Sequence, residues 1–334
     1  MSFWDRSSSS RAAEPTPVMV SDSGLDDAEV KRVCQEVVDT GQFVPAVELL
    51  NRVGRDWARR AVAVTALGEV AAKSPAWLLW WQRSEPESPD QRTVMAAAMV
   101  RVAWNARGSA KASLTSRGQF LDFHQLLRDA DQACLIATES APDDPTPWVS
   151  WLRVCRGLPV SRQVFVARWR ALRERDPLHR AGHDAALQYL CEKWRGSHTD
   201  MYAFAREAAE YAPPGSPLTL LVVEAHAEYG LRMRWNGAGH DGGFWTEPAQ
   251  QADLDAALDR YPVDAPRRYA SHLSDHSVLT YALAKAGRWA ELADRFEATD
   301  HHAYFLPWTY EEGGSAFLEY AHSQAMKSRS RHGR

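Results

Sequence analysis

Two similar stretches decide the fold: Ala141 to Trp148, with the sequence APDDPTPW, and Arg175 to Leu178, with the sequence RDPL. They open successive units between Asp143 and Ser216 that have the pattern of helix, turn, helix and then a break marked by proline. Six residues beyond the first proline of each stretch stand Trp148 and His183, about 35 residues apart. A period of this length is typical of stacked helical repeats. The stretch therefore predicts a repeat architecture.

The helical pattern extends over most of the chain on both sides of this stretch. Apolar residues recur every three or four positions from Val30 to Val38, and Gly41 then predicts the end of a helix. About a dozen such segments of 10 to 20 residues follow one another with short connections. No run of alternating β-branched residues bounded by turn signals interrupts them, so we expect essentially no sheet. The sequence predicts an all-α protein, an α-solenoid of stacked antiparallel helical hairpins.

We expect one helical repeat domain over residues 25–326. Residues 1–24 contain Ser, Pro and Gly without periodicity, which predicts a disordered segment. Residues 233–248 include four glycines and predict an irregular loop inside the domain. Residues 327–334 are basic and predict a disordered tail, with binding to an acidic partner as the alternative.

Composition and charge exclude several classes of protein. The formal net charge of −4 at pH 7 leaves no basic footprint for nucleic acid or for an anionic membrane. The four cysteines are scattered without a C-x-x-C pair and are typical of small core residues in a reducing compartment. The first residues contain no apolar signal region, and the most apolar run, residues 61–72, is too short to span a bilayer. We expect a soluble cytoplasmic protein.

Several segments resemble units of the tetratricopeptide-repeat superfamily, in which a proline and a tryptophan open the unit and a glycine turn leads into the second helix. Pro142 and Trp148 match the opening. Residues 287–296 and 41–50, each starting with Gly, match the turn and the second helix. The resemblance implies a build of helical hairpins and a role in holding a partner.

The turn from Lys193 to His198, with the sequence KWRGSH, is similar to the Trp-Gly-Gly-Ser signature of an uncharacterised bacterial repeat-like family, with Arg195 in place of the first Gly. That family offers no activity to transfer. By resemblance to tetratricopeptide-like grooves, Lys193, Trp194 and Arg195 would present a cation and an aromatic ring to a peptide carboxylate, beside Ser197 and His198. The alternative is a surface turn with Trp194 tucked beneath it and Ser197 as the N-cap of the next helix.

Trp235 and Trp245 flank the glycines of the 233–248 loop. They would form an aromatic lid over a binding groove, or the segment would be only a flexible connector. It is not a phosphate-binding loop, because it lacks the G-x-x-x-x-G-K-[ST] form and no predicted strand precedes it.

Two histidine pairs at a spacing of four, His179 with His183 and His272 with His276, offer a metal-binding alternative. On a helix, this spacing places two imidazoles on one face, as a metal requires. Asp184 or Asp275 would supply a third ligand. Helix packing is the competing explanation, since His183 takes the repeat position that Trp148 fills.

No strong catalytic or cofactor-binding motif appears in the chain. We therefore favour a non-enzymatic helical-repeat scaffold, without a cofactor, that binds a peptide or a partner protein through its concave face. A metal-binding protein or metal-dependent enzyme using one of the histidine pairs is the alternative. A nucleic-acid-linked regulator acting through arginine-bearing helices is disfavoured by the negative net charge.

Overall fold

The computed structural model describes residues 17–21, 26–108, 117–237, 243–264 and 271–332. Within these ranges the protein consists of fifteen α-helices, short 3-10 turns and two strands of three residues each, so the predicted all-α class with essentially no sheet is confirmed. The elements are, in chain order, β1 (Met19–Ser21), α1 (Ala28–Thr40), α2 (Val44–Val53), α3 (Trp57–Lys73), α4 (Ala76–Ser84), α5 (Pro89–Arg107), α6 (Arg117–Ser140), α7 (Thr146–Gly157), α8 (Arg162–Arg175), α9 (Arg180–Leu190), α10 (His198–Tyr211), α11 (Leu221–Trp235), α12 (Pro248–Arg260), α13 (His272–Lys285), α14 (Trp289–Ala298), β2 (His302–Tyr304) and α15 (Gly314–His332).

Local sequence signals account for where these helices begin and end. The Asp27 carboxylate accepts hydrogen bonds from the backbone N–H groups of Glu29 and Val30 and so caps α1. Gly41 ends α1 with a φ of 66°, in the left-handed region that glycine adopts without steric cost, as its position in the sequence predicts. Between these caps the valines of one helix face are buried, which fixes the orientation of α1 against the core.

The helices pack in a regular alternation. Most consecutive helices contact each other, and a second set of contacts joins helices that are next but one: α1 to α3, α3 to α5, α5 to α7, α7 to α9, α9 to α11 and α11 to α13. The odd-numbered helices from α1 to α13 therefore form one continuous row, which we call the inner row. Because α3 also contacts α7 and α9, the inner row bends on itself.

The two strands close this bend. Strand β1 pairs in parallel with β2, with Met19 opposite His302 and Ser21 opposite Tyr304. A disordered segment is predicted for residues 1–24, but residues 19–21 are ordered because β2 supplies partners for their backbone groups. The rest of that prediction, residues 1–16 and 22–25, lies outside the described residues.

The other predicted irregular segments contain more helix than expected. Helix α15 continues to His332, and Arg329 pairs with Asp294 and Glu297 of α14, so residues 327–332 of the predicted tail are helical. In the 233–248 loop, α11 extends to Trp235 and a 3-10 turn follows Gly243, while residues 238–242 lie outside the described residues. In the part of the chain that the structure describes, no helix is both long enough and apolar enough to cross a membrane.

Candidate functional site

A cleft of about 430 Å³ lies along the inner row. Six helices line it, namely α3, α5, α7, α9, α11 and α13, together with the segment from Tyr304 to Tyr310. Its volume is in the range typical of sites for small ligands. Small side chains leave this space open: Ala58, Ala61 and Ala66 of α3, Ala181 of α9 and Ala227 of α11.

One arginine on the cleft wall binds three carboxylates. Arg180, the first residue of α9, donates from Nε to Asp275 Oδ1 at 3.0 Å. Its guanidinium also pairs with Asp184, one turn along α9, and with Glu224 of α11. The cluster therefore carries one positive charge against three carboxyl groups. Such an excess of negative charge is unfavourable below the surface, where carboxyl groups respond by keeping protons.

The pKa values in this cluster follow that expectation. Burial raises the pKa of Glu224 to about 8, although Arg180 opposes the shift. Burial likewise raises the pKa of Asp275 to about 6, against the opposing effects of Arg180 and of the Ser271 hydroxyl. Ser271 donates to Asp275 Oδ2 at 2.7 Å. Burial therefore favours the protonated form of Glu224 at the edge of the cleft.

A second arginine in the cleft, Arg153, differs from Arg180 in its partners. Arg153 of α7 makes one long hydrogen bond, from Nη1 to Thr65 Oγ1 at 3.5 Å, and no ion pair joins it to a carboxylate of the described residues. Burial lowers its pKa even though Asp184 and Glu69 act on it through space. Its neighbour Arg101, by contrast, pairs with Glu69 at 3.1 Å. Arg153, which is half-buried, is thus a cation in the cleft without an ion-pair partner among the described residues.

Glu228 and its partners form the remaining polar group near the cleft, in which the charges of Glu228 and Lys193 balance. Glu228 of α11 accepts hydrogen bonds from Gln188 Nε2 at 2.7 Å and from the Tyr310 hydroxyl at 2.6 Å, and it pairs with Lys193 Nζ at 2.5 Å. Burial alone would raise the pKa of Glu228, but Lys193 and these hydrogen bonds outweigh it and lower the pKa. Among the residues that the sequence predicts for binding, Lys193 has a charged atom that contacts a residue of the cleft lining, Glu228.

The other residues of the predicted 193–198 site face elsewhere. Trp194 stands edge-on to Trp104 with ring centroids 5.3 Å apart, and the guanidinium groups of Arg107 and Arg156 lie 5.0 and 5.3 Å from its ring centre. It is tucked beneath the turn, as the packing alternative predicts. Arg195 is exposed at the surface of the turn.

Ser197 and His198 have structural partners at the start of α10. The Ser197 hydroxyl accepts from the backbone N–H of Asp200 at 3.1 Å, which confirms the predicted N-cap. His198 Nε2 lies 2.9 Å from Glu192 Oε2, and its ring packs edge-on against Tyr229. These contacts explain both residues without a ligand.

The two tryptophans of the predicted lid differ in exposure. Trp235, the last residue of α11, is 38% exposed. Trp245 is only 2% exposed and packs edge-on against His226, Phe244 and Tyr281. The 3-10 turn after Gly243 directs this ring inward, so the structure places Trp245 in the core rather than over a groove.

The histidine pairs have packing and capping roles. His179 lies just before α9 and its Nδ1 accepts from the Gly182 N–H at 3.1 Å, while His183 Nδ1 donates to the His179 carbonyl at 3.0 Å. His272 and His276 are buried with ring centroids 4.2 Å apart. Within the described ranges, no group of three or more His, Cys, Asp or Glu side chains is arranged to hold a metal ion.

Sequence reasoning did not single out Arg153, Arg180 or Glu224 as binding residues. Two of them stand inside apolar stretches, Arg153 between Leu152 and Val154 and Glu224 after residues 220–223, LLVV. A charged residue on a buried helix face is rare unless it is paired, and this signal could have marked both.

Comparison with known proteins gives no match: no protein-family model, no curated protein and no solved structure matches this chain. The likeness to tetratricopeptide proteins therefore stays a prediction from the sequence. The function must be inferred from the cleft itself.

Proposed function

We propose that this protein binds a short peptide, either free or at the end of a partner protein, in the cleft of the inner row. Arg153 would hold an anionic group of that peptide. The observation that carries the proposal is the Arg153 guanidinium, which lies in the cleft with one long hydrogen bond and, in the part of the chain that the structure describes, no carboxylate in ion-pair contact.

An unpaired charge that is partly buried, as Arg153 is, costs free energy, and a ligand that neutralises it recovers part of that cost. The planar guanidinium also suits a carboxylate, because it can donate two parallel hydrogen bonds. The apolar part of the lining, chiefly Val62, Val278, Phe305, Leu306 and Pro307, would contact the body of the peptide.

The architecture supports the same proposal. Each odd-numbered helix of the inner row is followed by a helix that packs against it. This alternation is what a solenoid of antiparallel hairpins requires, and such arrays use an inner surface for binding. We infer a scaffold role of the kind that the resemblance to tetratricopeptide repeats implies, without catalysis.

Selection from a random peptide library tests the proposal. We expect the wild-type protein to enrich a set of short peptides with a shared acidic group or free carboxylate. Arg153→Met should fail to enrich them, since methionine keeps the bulk of the side chain without its charge. Arg83→Met is the matched control, because Arg83 is exposed and bonds only to the Leu79 carbonyl of its own helix. Equal enrichment by the Arg153→Met protein, or none by the wild type, would refute the proposal.

A further inference from the structure

We propose that the ligand is bipolar: a short peptide with both termini free, whose carboxylate lies at Arg153 and whose ammonium group lies between Asp184 and Glu224. This inference rests on the proposed function, since it assigns the chemical class of ligand to the same cleft.

The two sides of the cleft have opposite charge. Helices α3, α5 and α7 supply Arg153 and the balanced Arg101–Glu69 pair, which leaves one positive charge. Helices α9, α11 and α13 supply the Arg180 cluster, with one cation and three carboxyl groups. A ligand with a single sign of charge would satisfy one side and leave the other uncompensated.

The negative side is accessible to a ligand. The Asp184 side chain is 46% exposed although it pairs with Arg180, and both Asp184 and Glu224 line the cleft. An ammonium group suits these oxygens, because it is a compact cation with three hydrogen-bond donors. A metal ion suits them less, since the Arg180 guanidinium already lies among the carboxylates and no metal-holding group of side chains occurs in the described residues.

Size sets a further limit. The cleft has a volume of about 430 Å³, which accepts a ligand of small-molecule size but not a folded domain. Both ends of the ligand then lie within the same cleft, which a short free peptide allows and an internal segment of a long chain does not.

Binding of the ammonium group should release the proton of Glu224. The groups that act on Glu224 are Arg180 and Asp184 of α9, Asp275 of α13, the Cys191 thiol and the Tyr310 hydroxyl. Of these, Arg180 alone favours the ionised carboxyl, and three carboxyl groups share it. An added ammonium group supplies a second cation, so Glu224 ionises and its proton passes to the buffer. The ligand itself keeps its protonated amine.

Calorimetry with defined peptides tests this inference. Pools of tripeptides with free termini are first screened by thermal shift, and the tightest member is titrated at pH 7 in buffers of different ionisation enthalpy. We expect release of up to about one proton per peptide bound. N-terminal acetylation, C-terminal amidation, Arg153→Met and Glu224→Gln should each weaken binding by about tenfold or more. Glu224→Gln should also abolish the proton release.

Two controls make the outcomes distinct. Glu48→Gln and Arg83→Met change exposed residues outside the cleft lining and should leave affinity and proton release unchanged. Acetylated peptides that bind as tightly as free ones, or binding without proton release, would overturn the bipolar ligand and leave the proposed peptide site intact. Absence of binding by every peptide form, with the wild-type protein folded, would overturn both.

Discussion

Arg60 and Arg180 are both buried arginines with several carboxylate partners, but their surroundings differ. Arg60 of α3 donates from Nε to Asp144 Oδ2 at 2.6 Å and also pairs with Asp90. Asp144 accepts in addition from the backbone N–H of Thr146 at the start of α7, and Asp90 lies in the first turn of α5. Both carboxylates thus lie where a helix dipole favours negative charge.

The Arg180 cluster has one more carboxyl group and borders the cleft. In both clusters the attraction of the carboxylates overcomes burial and raises the pKa of the arginine. Around Arg180, burial also raises the pKa of Glu224 and of Asp275. We therefore interpret the Arg60 cluster as a junction between helices, and the Arg180 cluster, with its third carboxyl group at the cleft, as one that a ligand completes. Arg153 is the complementary incomplete group on the other side of the cleft.

The largest expected effect is the loss of the Arg60 cluster. Arg60→Met removes the cation and leaves Asp144 buried without a counter-charge, which typically costs about 3–5 kcal/mol. Urea unfolding followed by circular dichroism measures this loss, with Arg83→Met as the exposed control. A loss under about 1 kcal/mol would mean that the helix N-termini alone stabilise the two carboxylates.

A smaller effect, with a defined pH window, is expected for Glu224→Gln. In the folded protein Glu224 holds its proton up to about pH 8, whereas in the unfolded chain it ionises near its ordinary value of 4.5. The folded state binds more protons in this range, so the wild type loses stability through Glu224 as pH rises from 5 to 8. Gln cannot ionise, and the variant should gain roughly 3–4 kcal/mol relative to the wild type over that window.

Urea unfolding of both proteins at a series of pH values between 5 and 8 tests whether their stability difference changes over this range. Buried histidines with lowered pKa, such as His183, affect both proteins equally and cancel in the difference. Glu48→Gln should give a curve parallel to the wild type. If the difference in the free energy of unfolding between Glu224→Gln and the wild type does not change with pH, Glu224 is ionised in the folded protein.

The smallest effect on stability is expected for Arg153→Met. Arg153 has no ion pair to lose and methionine retains most of the apolar contact, so the free energy of unfolding should stay within about 0.5 kcal/mol of the wild type or rise. The same variant should lose peptide binding. A destabilisation like that of Arg60→Met would instead identify Arg153 as a structural residue.

The helices were predictable because their signals are local. Gly41 and Ser197 end and begin helices where the sequence indicates, since capping depends on residues within one turn. The pairing of β1 with β2 and the inward turn of Trp245 were not predictable, because each depends on a partner far away in the chain: His302 for Met19 and Tyr281 for Trp245.

The site was harder to predict than the fold. Arg153, Asp184 and Glu224 stand on three different helices, and none belongs to a motif. Only the bend of the inner row brings them into one cleft. By contrast, the KWRGSH turn has a recognisable pattern, yet only Lys193 of that turn extends to the lining, through Glu228.

The position of β2 and of the lining segment after it, late in the sequence, also sets when the cleft is completed during synthesis. About 280 residues separate Ser21 from His302, so β1 emerges from the ribosome long before its partner exists. At typical elongation rates this interval is on the order of tens of seconds. The helices form contacts mainly with near neighbours meanwhile, but the wall segment from Tyr304 to Tyr310 is made last. The proposed ligand binding would therefore be a property that the nascent chain acquires only after residue 310 has been made.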